Sequence, residues 1–306
     1  MGDGLFGIVL GQVVLMGIYM LAGGVSYWRR WIDENGVKQI SNLLLYLVNP
    51  LTIIAAYQIE FSWPKLWVLG QTFCLSLIVL GLTFAIIALL MKRMDVVEKF
   101  AVGFANSGFI GIPLVKAVLS DTAVFHLSAF LVAANLWVWT YGIYLLTQDK
   151  KYMTLRKAIM NPGTIGTILG LGLFISPWKL PSLLFTGIYQ LGNLNTPLAM
   201  IILGAYIMKT DVKKMFHSWR LYRTCLWRLI FMPLLTLLVL ALVPVTDQTI
   251  LMTIFIAISG PAAVNTMMFP LQFGGNSELG AQIVSMSSLL SMFSLPIILS
   301  LGGLIL

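Results

Sequence analysis

The sequence predicts an all-α polytopic membrane protein with ten transmembrane helices, arranged as two inverted five-helix repeats in which helices 4 and 9 are broken. Three observations predict this class: the apolar composition, a series of ten apolar segments, and two proline motifs that recur at nearly the same spacing. Of the 306 residues, 59% are hydrophobic and 10% are charged. A soluble domain of this size cannot bury so much apolar surface, so the chain is expected to lie in a lipid bilayer.

The apolar segments divide the chain into ten predicted spans joined by short loops. They cover residues 5–27, 40–57, 66–91, 99–119, 124–147, 157–176, 184–208, 218–243, 249–272 and 279–305. The formal net charge of +8 lies mostly in the short loops between these spans, which does not suggest a nucleic-acid partner. Cys74 and Cys225 both fall inside apolar segments, so neither a disulfide nor a metal site is indicated.

Lys and Arg residues are distributed unevenly over the two sides of the predicted bundle. Sixteen lie in or beside the first, third, fifth and seventh loops, and three lie on the other side, namely Lys65, Lys116 and Lys179. Because cytoplasmic loops carry an excess of Lys and Arg, the odd-numbered loops are predicted to be cytoplasmic. The chain is therefore expected to be a multi-pass protein of the cytoplasmic (plasma) membrane with both termini outside.

Two proline motifs recur between the halves of the chain. Asn49–Leu51 in the second span resembles Thr196–Leu198 in the seventh, with the prolines 147 residues apart. Gly111–Pro113 in the fourth span resembles Ser259–Pro261 in the ninth, with an offset of 148 residues. Residues 1–150 and 151–306 then each hold five spans, and this odd number makes the second half enter the membrane with opposite polarity. Such a pattern is typical of inverted-topology repeats.

The fourth span is interrupted by Gly108, Gly111 and Pro113, where a spanning helix should be most regular. Proline removes a backbone donor, and in hydrocarbon a broken backbone persists only inside protein or beside a wet cavity. One interpretation is a packing kink. The other is the floor of a binding site, because paired interrupted spans in inverted halves mark the substrate site of many transporters. We expect non-helical backbone near Gly108–Pro113 and Ser259–Asn265, with the two breaks close together.

Polar residues beside these breaks form the candidate site. Broken helices leave unpaired backbone groups, and their N-terminal ends carry partial positive charge that favours an anion. The candidates on the interrupted spans are Asn106, Ser107, Gly108, Pro113, Pro261, Asn265 and Thr266, and those across the domain boundary are Asn49, Asn195 and Thr196. Side chains of the first group either bind a carboxylate or hold the freed backbone. Those of the second group either face the same cavity or form interhelical hydrogen bonds.

Few charged residues are candidates for the site. Arg228 lies well inside the eighth span, and it is either a gate or counter-charge for an anion or a side chain that reaches back to the cytoplasmic interface. No Asp or Glu lies deep in any predicted span, so the sequence does not identify the coupling ion, and protons are one candidate. The spans hold no constellation of His, Cys and acids suited to catalysis, so we expect no enzyme, cofactor or metal.

The sequence resembles the auxin efflux carrier family over nearly its whole length. The resemblance lies in Asn106 with Gly111–Leu114, in Asn49–Leu51, and in the stretch from Ser259–Pro270 to Leu295–Pro296. It implies a ten-helix bundle of the bile acid and sodium symporter-like superfamily, in which broken helices 4 and 9 cross at the substrate site. It also implies a scaffold of helices 1, 2, 6 and 7, often dimeric, and a moving transport domain of helices 3–5 and 8–10. Asn106 matches the asparagine of the family's motif.

Two differences from the plant carriers limit the range of substrates that we expect. The loop between the halves is only about Gln148–Lys157, and residues 66–91 carry no charge. The resemblance therefore implies a bacterial permease that carries a small organic anion, a mono- or dicarboxylate such as malate, by alternating access. The alternative is a passive anion channel or pore, which would need a continuous polar lining. The expected partners are the organic acid, membrane lipid and a second copy of the chain, bound through the scaffold helices.

Overall fold

Helices make up most of this protein. The structure is a computed structural model that describes residues 2–176, 179–210, 212–244, 247–273 and 275–306. Across these ranges the regular structure is helical, apart from one isolated antiparallel β-bridge between Ala105 and Ala262. The predicted all-α class is therefore confirmed for the described part of the chain.

The first 150 residues form a series of helices, several of which are continued by π-helical turns. The α-helices are α1 (Gly2–Trp28), α2 (Glu34–Leu43), α3 (Asn49–Ala56), α4 (Trp63–Leu90), α5 (Val96–Gly103), α6 (Ile112–Val118), α7 (Val124–Trp137) and α8 (Ile143–Thr147). π-helical segments cover Leu44–Val48, Ser107–Gly111 and Val138–Gly142, and a 3₁₀ turn covers Asp121–Ala123.

The second half repeats this mixture of long and interrupted helices. Its α-helices are α9 (Leu155–Ile159), α10 (Pro162–Ile175), α11 (Ser182–Asn193), α12 (Asn195–Lys209), α13 (Val212–His217), α14 (Trp219–Leu226), α15 (Met232–Ala241), α16 (Gln248–Ser259), α17 (Asn265–Phe273) and α18 (Ser277–Ile305). A 3₁₀ turn covers Lys150–Tyr152, and a π-helical segment covers Trp227–Phe231 between α14 and α15.

Eight helical segments among the described residues are long and apolar enough to cross a membrane. They run over Gly4–Trp28, Glu34–Ala56, Trp63–Leu90, Asp121–Thr147, Lys150–Ile175, Ser182–Lys209, Trp219–Ala241 and Ser277–Ile305. The fourth and ninth predicted spans are not among them because each is interrupted, and they contribute the shorter apolar helices Ser107–Val118 and Gln248–Ser259. The chain is therefore a multi-pass membrane protein, and its arrangement as ten spans in two inverted repeats stays a prediction.

Glycines bring α1 and α12 into backbone contact. A Cβ atom added to Gly204 of α12 would overlap the backbone carbonyl of Met20 in α1, and one added to Gly23 would overlap the backbone of Ile201. Small residues at such positions let membrane helices approach closely. α1 also packs against α18, whereas α3 packs against α10 and α11, and α4 packs against α7.

The two interruptions lie side by side and are joined through their backbones. The chain is non-helical between α5 and the following π segment, and again between α16 and α17. The Asn106 N–H donates to the Pro261 carbonyl over 2.8 Å, and the Ala263 N–H donates to the Phe104 carbonyl over 2.9 Å. These bonds satisfy backbone groups that the interrupted helices leave free. The predicted closeness of the two breaks is confirmed.

The first break lies upstream of the position predicted from the sequence. The prediction placed non-helical backbone at Gly108–Pro113, but Ser107–Gly111 is π-helical and Pro113 lies in the first turn of α6. Because α6 continues the π segment directly, Pro113 falls just after a π turn, where the helical hydrogen bonds already depart from the regular α pattern. The prediction of the first break is therefore wrong by several residues, whereas the second break falls within Ser259–Asn265 as expected.

The two prolines of the 148-residue offset occupy different places relative to the breaks. Pro261 lies in the second break itself, whereas Pro113 lies in the helix that follows the first break. The β-bridge pairs Ala105 with Ala262. Eight residues after each of these lie Pro113 and Pro270, and both belong to the helix that follows the break. Pro113 and Pro270 therefore lie at matching distances along the chain from the bridge.

Candidate functional site

A cavity of about 480 Å³ lies against the two interruptions. Its walls come from both halves of the chain and include residues of both breaks together with side chains of α2, α7, α10, α12 and α17. A volume of this size is within the range of pockets that hold small organic ligands. The cavity reaches Lys157 and Met160, which are exposed at the end of the bundle that carries the loop between the halves.

π-helical turns contribute to the wall of this cavity at four places in the described chain. The contributions include Tyr46 from Leu44–Val48, Gly108 from Ser107–Gly111, Trp139 from Val138–Gly142, and Arg228 from Trp227–Phe231. Such turns are rare in proteins and are found frequently at functional sites. Their concentration around one cavity therefore favours a ligand-binding role for it.

The structure brings six of the predicted site residues to the cavity and leaves five out of its lining. The lining includes Asn49, Asn106, Ser107, Gly108, Asn265 and Arg228. The described residues that do not line it are Pro113, Pro261, Thr266, Asn195 and Thr196. Pro261 still supports the site, because its carbonyl accepts the backbone bond from Asn106. Thr266 is fully buried in the protein and belongs to the first turn of α17.

The Asn106 side chain is buried, and its amide nitrogen has no partner among the described residues. It is 6% exposed, and its amide nitrogen Nδ2 makes no hydrogen bond to any residue that the structure describes. The backbone of Asn106 repairs the break without the side chain, since its N–H bonds Pro261 and its carbonyl accepts from the Ile110 N–H over 3.0 Å. A buried donor without a partner costs free energy, which a bound acceptor would recover. The Nδ2 donor of this amide therefore does not hold the freed backbone.

Ser107 has the supporting role that Asn106 lacks. Its hydroxyl donates to the Ala257 carbonyl of α16 over 2.7 Å, and its side chain is buried. This bond ties the first π segment after the break to the last turns of α16. Asn265, the first residue of α17, is partly exposed in the cavity wall.

Asn49 and Asn195 form a pair between helices. The Asn195 Nδ2 donates to the Asn49 Oδ1, which confirms the interhelical hydrogen bond that was one interpretation of these residues. Asn49 also lines the cavity, whereas Asn195 is 1% exposed and lies outside the lining. Beside this pair, the Thr52 hydroxyl donates to the Gly192 carbonyl over 2.9 Å, near the junction of α11 and α12. These bonds hold α3 against the second half of the chain.

Arg228 lies at the junction of the two breaks and is completely buried. Its guanidinium donates through Nε to the Gly260 carbonyl over 2.9 Å, through Nη1 to the Val102 carbonyl over 2.7 Å, and through Nη2 to the Ile258 carbonyl. These carbonyls stand at the C-terminal ends of α5 and α16, so one cation closes both interrupted helices. The interpretation in which the side chain reaches back to the membrane interface is therefore wrong.

Backbone dipoles, not an acidic side chain, balance the charge of Arg228. Among the described residues no carboxylate forms an ion pair with it. A helix C-terminus carries a partial charge of about −0.5 from its unpaired carbonyls, so two such ends offset roughly one positive charge. The guanidinium has more N–H donors than these three bonds use, and Arg228 lines the cavity, so it can also face a bound anion.

Several polar lining residues were missed by the sequence analysis. They are Ser41, Tyr46, Asn135, Lys157, Asn161, Tyr206 and Gln272. The Asn135 Nδ2 donates to the Thr164 hydroxyl over 3.4 Å, and the Lys157 Nζ lies 5.2 Å from the centre of the Trp139 ring. A polar residue inside an apolar span, such as Asn135, is a signal that could have found this wall. Lys157 was counted only among the charges that predict orientation.

At the end of α6 that points away from the break, polar side chains join this helix to α11. The Lys116 Nζ lies 3.2 Å from the Asp121 Oδ1 and donates to the Asn193 Oδ1 over 3.2 Å. The Tyr189 hydroxyl donates to the Asp121 Oδ2 over 2.8 Å. None of these four residues is part of the cavity lining, and the contacts join α6 to α11 at this end of the bundle.

At the other end of the fourth span, Glu98 anchors α5. Its side chain is 1% exposed and accepts from the Asp95 N–H over 3.0 Å in a capping box. The same carboxylate pairs with Arg220 over 3.0 Å and with Arg223 over 2.9 Å, which ties α5 to α14. Glu98 immediately precedes the predicted span, so the search for acids deep in the spans did not include it.

Comparison with protein families matches almost the whole chain. A family model described as membrane transport protein covers residues 8–299, which include both breaks and all of the cavity lining. No curated protein matches the chain.

Proposed function

The chain belongs to the membrane transport protein family, which is the auxin efflux carrier family, and on this premise we propose that it is a secondary transporter of a small organic anion. The proposed substrate is a mono- or dicarboxylate such as malate, carried by alternating access. The observation that carries the proposal is the cavity beside the two breaks, whose wall contains the unpartnered Asn106 amide and the buried Arg228.

The charge of the cavity favours an anion. Its described lining contains Lys157 and Arg228 but no Asp or Glu. α17 begins at Asn265 in the wall, so the partial positive charge of a helix N-terminus adjoins the same space. A carboxylate would satisfy the Asn106 donor and would be attracted by Lys157 and by the end of α17, whereas the charge of Arg228 is largely balanced by backbone carbonyls.

Alternating access is supported by the difference between the two ends of the bundle. The cavity reaches the exposed Lys157, in a region that the charge distribution predicts to be cytoplasmic. At the opposite end of the fourth span, Lys116 and Asp121 join α6 to α11 through Asn193 and Tyr189. We infer a state that is open to the cytoplasm and closed to the outside. Movement of helices 3–5 and 8–10 against helices 1, 2, 6 and 7 would produce the opposite state.

Other features of the proposal concern the assembly and its setting. We propose that the protein lies in the cytoplasmic membrane with both termini outside and forms a homodimer through helices 1, 2, 6 and 7. Protons are the proposed candidate for a coupling ion. These features extend the resemblance described above and the distribution of Lys and Arg.

Transport by the purified protein in liposomes tests the proposed function. Liposomes loaded with unlabelled malate should take up labelled malate faster than empty ones, because a carrier returns to the outer face faster when it carries substrate. A panel of labelled mono- and dicarboxylates, each measured with and without a proton gradient, identifies the preferred acid. Protein-free liposomes provide the control.

A passive channel would give a different result in the same assay. Uptake through an open pore rises linearly with the external concentration, and unlabelled acid inside does not accelerate it. Such behaviour would show that the protein is a channel and not a carrier. If no acid of the panel crosses the membrane faster than in protein-free liposomes, the proposed substrate class is wrong.

Labelling of single cysteines tests the orientation. In a protein whose Cys74 and Cys225 are replaced by serine, Lys150→Cys and Lys209→Cys should resist a membrane-impermeant maleimide in intact cells. Both should react once the cells are opened, because the loops that hold them are predicted to be cytoplasmic. Lys179→Cys is the matched control and should react in intact cells. The reverse pattern would overturn the predicted orientation.

A further inference from the structure

Three carbonyl oxygens from two separate chain segments converge on the Arg228 guanidinium. They belong to Val102 at the end of α5 and to Ile258 and Gly260 at the end of α16. In many secondary transporters, unwound carbonyls and the C-terminal ends of half-helices coordinate a monovalent cation. Here the cation held by such carbonyls is a side chain of the protein.

We propose that Arg228 is a resident cation, because its guanidinium occupies the place that a sodium ion would take. Transport is therefore independent of sodium. The statement about transport rests on the proposed function. The statement about the cation site does not, because it concerns the folded protein without substrate.

The electrostatics of the junction support this assignment. The ends of α5 and α16 together carry a partial charge of about −1, which one cation balances. Without a cation, this negative charge would be buried and uncompensated. A sodium ion beside the guanidinium would add a second positive charge within a few ångströms, where water does not screen their repulsion. The wild-type protein therefore has no free position for sodium between these carbonyls.

The neighbouring arginines pair with an acidic residue, whereas Arg228 does not. Arg220 and Arg223 precede it on the same helical stretch and both pair with Glu98. Arg228 instead makes its bonds to backbone carbonyls. The acid that could have neutralised a third arginine is already shared by two, so the backbone ends are the counter-charge of Arg228.

Removing the Arg228 side chain should convert the junction into a cation site. Arg228→Ala exposes the three carbonyls and opens the space that the side chain filled. We expect its Tm in choline chloride to be lower than that of the wild type. Millimolar sodium, potassium or guanidinium, at constant ionic strength and without substrate, should raise it again by several degrees. The wild-type Tm should be the same in all four salts.

Matched variants distinguish this effect from a general response to salt. Arg228→Met fills much of the same space without a charge, so its Tm should be low and should not respond to the cations. Arg223→Ala removes a half-exposed arginine from Glu98 on the same helical stretch, and its Tm should also show no recovery. Arg228→Lys retains a cation and should be insensitive to sodium, which keeps the test decisive if Arg228→Ala does not fold.

Three outcomes would overturn the proposal. The first is a sodium-dependent rise in the Tm of the wild type or of Arg228→Lys, and the second is sodium stimulation of wild-type transport. The third is a folded Arg228→Ala protein whose Tm does not change with any of the three cations. If no organic acid is transported, the proposed function fails but the Tm series still decides the identity of the cation site.

Discussion

Replacing Asn106 with alanine should weaken substrate binding about ten- to hundredfold, because a lost hydrogen bond to a charged group costs roughly 1.5–3 kcal/mol. Thermal stability should be unchanged or slightly higher, since the Asn106 Nδ2 has no partner among the described residues. Affinity for a labelled acid and thermal unfolding are measured on the same purified sample. Asn265→Ala should also weaken binding, because Asn265 contributes to the same wall.

Asn276→Ala is the matched control, and it should lower stability without changing affinity. The Asn276 Oδ1 caps α18 by accepting from the Leu279 N–H over 2.9 Å, and this residue does not line the cavity. Its removal should cost about 1 kcal/mol of stability and leave affinity unchanged. If Asn106→Ala instead binds normally once corrected for the folded fraction, the proposed substrate site is wrong.

Gly204→Ala should be among the most destabilising single substitutions in this protein. An added Cβ would meet the Met20 backbone of α1, which cannot move aside as a flexible side chain can. Overpacking in a well-packed interior costs about 1–3 kcal/mol, and we expect at least the upper end of this range because backbone is displaced. The measurement is the midpoint of thermal unfolding in detergent, together with the yield of monodisperse protein.

Gly11→Ala provides the control on the same helix pair. A Cβ at Gly11 of α1 meets no atom within 4 Å, so the substitution adds the same methyl group without a collision. Its stability should be unchanged or slightly higher, since alanine favours helix more than glycine does. Equal effects of the two substitutions would show that α1 and α12 do not rely on close backbone contact.

The long spans could be predicted from the sequence because length and apolar composition are local properties. The interruptions were predicted in the correct helices, since glycine and proline mark backbone that departs from a regular helix. Their positions were less accurate. The first break is located by the bonds from Asn106 to Pro261 and from Ala263 to Phe104, which join residues far apart in the sequence. Proline content alone contains no information about such bonds.

The candidate site shows the same division between local and distant information. Four of the predicted residues, Asn106, Ser107, Gly108 and Asn265, line the cavity because they flank the breaks, whereas Asn49 and Arg228 reach it from other helices. The sequence could not distinguish Asn106, whose amide is unpartnered, from Ser107, whose hydroxyl bonds Ala257. It also left the role of Arg228 open, because the carbonyls that surround it come from two other spans. Partners of this kind become visible only when the helices are assembled.

The π-helical turns around the cavity have a consequence for changes in chain length. A π-helical turn contains one residue more than the α-helix that it interrupts, and it appears as a single-turn bulge. Deleting one residue inside such a turn returns the segment to regular α-helix without rotating the helix beyond it. Among the described residues the π segments are Leu44–Val48, Ser107–Gly111, Val138–Gly142 and Trp227–Phe231. Single-residue deletions in Leu44–Val48, Val138–Gly142 and Trp227–Phe231, which have α-helix on both sides, would alter the cavity wall while the surrounding bundle keeps its register.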